Sequence, residues 1–198
     1  MSIFPTDIKK IKERIKSYER ALKKEYSIHN SYDDGYGKRY LLGPMYLLAD
    51  DYKGAVKSYE WYEHEFPDDV GEPFQYACWV LALYKVGDFE KATKKMYQTI
   101  FVNIYLIPFI IGIKRQIEFV RFSTNYQDQE YIESMPDELL RLWDDDVKKW
   151  ATSIYNSEQY QVIEKDYLSL TLKLDIESDT TQRGMLIKEI RKLENKYT

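Results

Sequence analysis

The 198-residue chain holds one cysteine and two histidines. A lone cysteine closes no internal disulfide, and Cys78, beside Trp79 in an apolar stretch, reads as a small core residue of a protein kept in a reducing compartment. His29 and His64 leave little for a zinc site or for imidazole acid-base work. Glu60 stands one helical turn before His64, but no His-Glu-x-x-His pattern accompanies it. The sequence has neither a Gly-x-x-x-x-Gly-Lys phosphate loop nor a Gly-x-Gly-x-x-Gly turn, so neither common nucleotide site is indicated. Asp144-Asp145-Asp146 lacks the ligand spacing and Gly turn of a calcium loop and reads as a solvated face or a helix cap. No catalytic, cofactor-binding or metal-ligating set emerges, and the expectation is a protein that is not an enzyme and uses no cofactor. Long hydrophobic runs are missing too. Residues 100–113 are the most apolar stretch but contain Asn103 and Pro108 and fall short of the roughly 20 residues a membrane span needs. They are expected to form a buried central helix. With no secretory h-region at the start, the expected location is the cytoplasm.

Composition is otherwise that of one globular domain, 44% hydrophobic and 31% charged. Charge is unevenly placed within a net −4. Residues 8–24 carry eight basic side chains (Lys9, Lys10, Lys12, Arg14, Lys16, Arg20, Lys23, Lys24) against Glu13 and Glu19, whereas residues 125–146 carry eight acidic ones against Arg141 alone. These are either two solvated faces or segments that dock on one another, within a chain or between two. Nineteen tyrosines and four tryptophans are the strongest compositional bias. They suit helix packing with the hydroxyl reaching outward, and equally a surface that recognises protein.

No stretch alternates with strand periodicity between hairpin turns, so the expected fold is all-α. A first helix is expected over residues 7–26, with Thr6 as N-cap and Ile8, Ile11, Ile15, Tyr18 and Leu22 forming a narrow seam suited to packing along one other helix. Asp33-Asp34 in the following Gly-rich loop reads as a cap. Residues 113–122 should continue or follow the central helix. Ser134-x-x-Asp137 with Pro136 resembles a capping box opening a helix with Leu139, Trp143, Val147, Trp150 and Ile154 on one face. Ser157 caps another helix with Tyr160, Ile163, Tyr167, Leu170 and Leu174. A last stripe is formed by Leu186, Ile190, Leu193 and Tyr197.

Residues 39–67 organise the rest. Leu42-Gly43 with Tyr46, then Ala55 with Tyr59, then Pro67, read as two short helices around a turn. Asp50-Asp51-Tyr52-Lys53-Gly54-Ala55 recurs as Gly87-Asp88-Phe89-Glu90-Lys91-Ala92, a period of 37 residues. The pattern resembles the tetratricopeptide repeat (TPR), in which Gly and Ala let antiparallel helices approach and aromatics fill the gap. Arg39 stands where that family prefers Trp, and Pro44 is unusual one turn into a helix. About two repeats are indicated over residues 36–103 within a core of 36–112, preceded by the N-terminal helix and followed by a helical extension, 123–198, all in one domain. The resemblance implies TPR-like antiparallel hairpins in an α-α superhelix, with an apolar, aromatic groove for a protein or peptide. Its partner-binding residues would be Tyr40, Leu47, Phe74, Leu81, Tyr84 and Lys85, with Pro44 and Ala77 also on the groove. The alternatives are a structural homo-oligomer, paired through helix one and the C-terminal helices with a groove filled by its own C-terminal region, and a nucleic-acid contact through basic helix one. The net acidic charge argues against the last.

Overall fold

The computed structural model describes residues 3–115 and 125–197. Among these residues the regular structure is all helical. The helices are α1 (Ile8–His29), α2 (Lys38–Leu48), α3 (Tyr52–Glu65), α4 (Pro73–Lys85), α5 (Phe89–Val102), α6 (Leu106–Ile110), α7 (Gln129–Glu133), α8 (Asp137–Leu140), α9 (Asp145–Tyr155), α10 (Glu158–Ile176) and α11 (Thr180–Tyr197), with a 3-10 turn at Asn125–Gln127 before α7.

Two helical hairpins, α2–α3 and α4–α5, stand side by side. Their turns are built alike. Each first helix ends on a residue of positive φ, Asp50 at 58° and Gly87 at 83°. Each then closes with the same pair of hydrogen bonds, Asp50 N to Leu47 O and Asp51 N to Tyr46 O in one, Gly87 N to Tyr84 O and Asp88 N to Leu83 O in the other. That is the Schellman ending, which satisfies the last carbonyls of a helix. The next residue then opens the second helix: Asp51 accepts from Gly54 N and Asp88 from Lys91 N. Pro44 lies inside α2, where its missing N–H leaves one turn without its hydrogen bond.

The central helix is α4. It packs against α2, α3, α5 and α6 and buries Ala77, Cys78, Trp79, Val80, Leu81, Ala82 and Leu83 in succession. This corrects the expectation for residues 100–113, which are largely buried but broken between the end of α5 and the short α6. Asn103 makes the break: its Oδ1 accepts from Tyr105 N, and its Nδ2 donates to the carbonyls of Tyr126 and Asp128. A side chain that bonds local and returning backbone competes with helix continuation. The expected continuation over 113–122 falls mostly outside the described residues.

Helix α1 begins one residue later than expected. Asp7, not Thr6, is the cap, accepting from Lys10 N at 2.9 Å. Ile11, Ile15 and Leu22 of its seam are buried, and the helix packs along α2. The expected single helix after Pro136 is two. Helix α8 ends at Leu140, and Asp144 accepts from Val147 N to start α9. Ser157 caps α10 as expected, accepting from Tyr160 N. Helices α10 and α11 pack on each other and on α5.

Candidate functional site

The first helices α2 and α4, continued by α6, form the face on which the six expected partner-binding residues were placed. The chain itself returns to this face: α8 packs on α2, and α7 and α9 pack on α6. Ile132, Met135, Leu139, Trp143, Val147 and Ala151 of the returning segment are buried, Ile132, Val147 and Ala151 to 0% exposure. Burial of that extent makes the segment part of the core.

Each expected contact residue meets this segment or its own hairpin. Of the six expected residues, Leu47 is 0% and Leu81 1% exposed, so in this fold neither reaches the surface. Both point into the apolar core that α4 centres, as do the buried Pro44 and Ala77. Phe74 stacks on Tyr131 with centroids 5.0 Å apart and planes at 14°. The Tyr131 hydroxyl donates to Glu72 Oε1 at 2.6 Å, while Glu72 Oε2 accepts from Gln75 N and caps α4. Burial pushes the Glu72 carboxyl upward, against the hydrogen bonds from Tyr131 and from the Phe74 and Gln75 amides. Tyr84 packs against Trp150 at 5.0 Å and Phe89 at 5.2 Å. Lys85 Nζ pairs with Asp144, the cap of α9.

Tyr40 is held at the other end of the face. Its hydroxyl donates to Asp69 at 2.7 Å and accepts from Arg39 Nη2 at 2.7 Å. Arg39 Nε also donates to Asp69, at 2.8 Å, and its guanidinium lies over the Tyr40 and Phe66 rings. Arg39 is thus a cation stacked on two aromatic rings as well as paired with a carboxylate. Burial alone would raise the Asp69 carboxyl, but hydrogen bonds from Tyr40, the Gly71 amide and Arg39, together with the Arg39 charge, bring it below its ordinary value. The same site raises the Tyr40 phenol, through burial first and then the Asp69 contact.

Asp69, Tyr131, Asp144 and Trp150 are the residues that sequence reasoning did not put on this face. Trp150 is expected on one face of a helix and Asp144 on a solvated face or in a cap, but nothing local signals that either meets Tyr84 or Lys85.

The chemistry available here is packing and pairing. The Cys78 thiol is fully buried and pushed up by that burial, then by Glu72. His64 is exposed and sits beside Glu65, not Glu60. Among the described residues no group of three or more His, Cys, Asp or Glu side chains is placed to hold a metal ion, and no helix is long and apolar enough to cross a membrane.

Charge stays open elsewhere. None of the eight basic residues of α1 enters an ion pair among the described residues. In the acidic segment Asp144 pairs with Lys85 and Asp137 with Arg141. Among the described residues no ion pair joins the two segments. Comparison with family models, with curated proteins and with solved structures gives no match for this chain.

Proposed function

We propose that this chain is a non-catalytic, protein-binding helical module, built on two TPR-like hairpins, whose inner groove is filled by its own residues 126–155 and whose outer faces meet its partner. The observation that carries this reading is the burial of the returning segment against α2, α4 and α6, with Trp143 at 2% exposure and Val147 at 0%. The two matched Schellman turns, 37 residues apart, support the repeat reading, since a repeated sequence element closes with the same hydrogen bonds twice. Cytoplasmic residence fits the free, buried Cys78.

An open groove and a filled one differ in what the aromatics do. On an open groove, replacing Tyr40 and Tyr84 together by Ala removes binding and costs the fold only the Tyr40–Asp69 hydrogen bond, about 1.5–3 kcal/mol. In the filled groove the same change removes the Tyr40–Asp69 hydrogen bond and the Tyr84–Trp150 contact. Losing one half-buried aromatic contact as well as the charge-assisted hydrogen bond costs about 3–4 kcal/mol together. At this size each kcal/mol moves the melting midpoint by about 2–4 °C. Thermal melting followed by circular dichroism decides between them: a double variant that melts no lower than Tyr40→Ala alone contradicts the filled groove.

A further inference from the structure

We propose that α1 and the acidic edge formed by α7 and α8 make one self-complementary face, through which two copies of this chain associate about a two-fold axis. The inference rests on the reading of the chain as a protein-binding module and names the partner as a second copy.

On α1, the buried seam of Ile11, Ile15 and Leu22 leaves the opposite side to Lys9, Lys12, Lys16, Arg20 and Lys23. Their spacing of 3, 4, 4 and 3 lines them along one stripe, about 21 Å long at 1.5 Å per residue. Beside the start of α1 lies a cleft of about 760 Å³, one wall formed by Ile3 to Ile11 and the other by Ser134, Pro136, Asp137 and Arg141. Within it Ile3 is 58% and Ile8 49% exposed, large apolar side chains at the boundary between the basic and acidic regions. Asp128, Glu130, Glu133 and Asp137 are exposed on the acidic side.

A face with an apolar centre, cations on one side and carboxylates on the other is complementary to itself after a half turn. Each basic stripe then meets the other copy's acidic edge, while Ile3 and Ile8 pack across the axis. Interfaces of this anatomy, an apolar centre with a charged rim, gain orientation from the charge and affinity from the centre. A polyanion or an anionic membrane fits less well, because Asp137 and Glu138 border the cleft and the whole chain is at −4.

The test is the mass of the full chain by light scattering over a concentration series, at about 50 mM and about 500 mM salt, since exposed pairs are screened over that range. The expected result is a dimer at low salt that dissociates as salt rises. Lys9→Glu with Lys12→Glu and Lys16→Glu should weaken association by about 100-fold or more, as should Glu133→Lys with Asp137→Lys, because each juxtaposes like charges. Mixing the two variants should restore a dimer of one copy of each. Circular dichroism checks that both are folded. Should one fail to fold, the salt response of the unmodified chain and the other variant still decide. A chain that stays monomeric at about 100 µM in low salt overturns the proposal, as does a dimer indifferent to both variants or a mixture that does not re-pair. Binding of a monomeric chain to a single-stranded RNA oligonucleotide, or to vesicles containing phosphatidylserine, also overturns it and assigns the stripe to a polyanion. None of these outcomes alters the melting behaviour of the Tyr40/Tyr84 variant, so a failed dimer and an unfilled groove are told apart.

Discussion

Tyr59 stands where a side chain at Gly43 would be. A Cβ built on Gly43 overlaps the phenol ring, and Tyr59 itself is 1% exposed and stacked on Trp79 at 5.1 Å. The small residue in Leu-Gly-x-x-Tyr is thus explained by the aromatic one hairpin arm away. The Tyr59 hydroxyl has no hydrogen-bond partner of normal geometry and lies near the Cys78 thiol, so packing is the main hold on the ring. Even the smallest enlargement, Gly43→Ala, should therefore destabilise the protein by about 1–3 kcal/mol, the usual cost of forcing a methyl into a packed core. Urea titration measures it. Ala at this position usually raises helix propensity by about 1 kcal/mol, so a stabilised variant would show that the ring moves aside freely.

At the scale of elements, the Arg39–Tyr40–Asp69 network ties the start of α2 to the loop between α3 and α4. The folded Asp69 carboxyl titrates below its unfolded counterpart. Its contribution to stability is therefore complete above the unfolded value of about 3.9 and is lost as pH falls through the lower folded value. Asp69→Asn should cost about 1–3 kcal/mol near neutrality, the range for hydrogen bonds to a charged group. The gap between variant and parent should narrow as pH drops below about 4. A gap that does not change with pH would mean that Asp69 acts by shape, not by charge.

Much at this scale was readable from sequence, because it is local. The helical periodicities, the Ser157 cap and the paired turns depend on residues a few positions apart, and the structure contains each of them. The division of α8 from α9 was less visible. A continuous apolar stripe at Leu139, Trp143 and Val147 is compatible with one helix, and Asp144 ends that option by capping the next. The occupied face was not visible at all. Glu72 and Tyr131, like Lys85 and Asp144, pair across 59 residues of sequence. Local pattern carries no signal for a contact between residues so far apart in the chain.

In the whole molecule, residues 126–155 pack on α2, α4 and α6 and form part of the helical core. Native-state hydrogen exchange tests this most directly, because amide protection reports the free energy of opening segment by segment. If the segment fills the groove, the amides of α9 and of the turns around Ile132 and Leu139 exchange as slowly as those of α4, and Lys85→Ala or Trp150→Ala lowers protection in α4 and α9 together. If α7 to α9 exchange as an independent, weakly protected unit while α2 to α5 stay closed, the segment is a removable cover, and the account is contradicted.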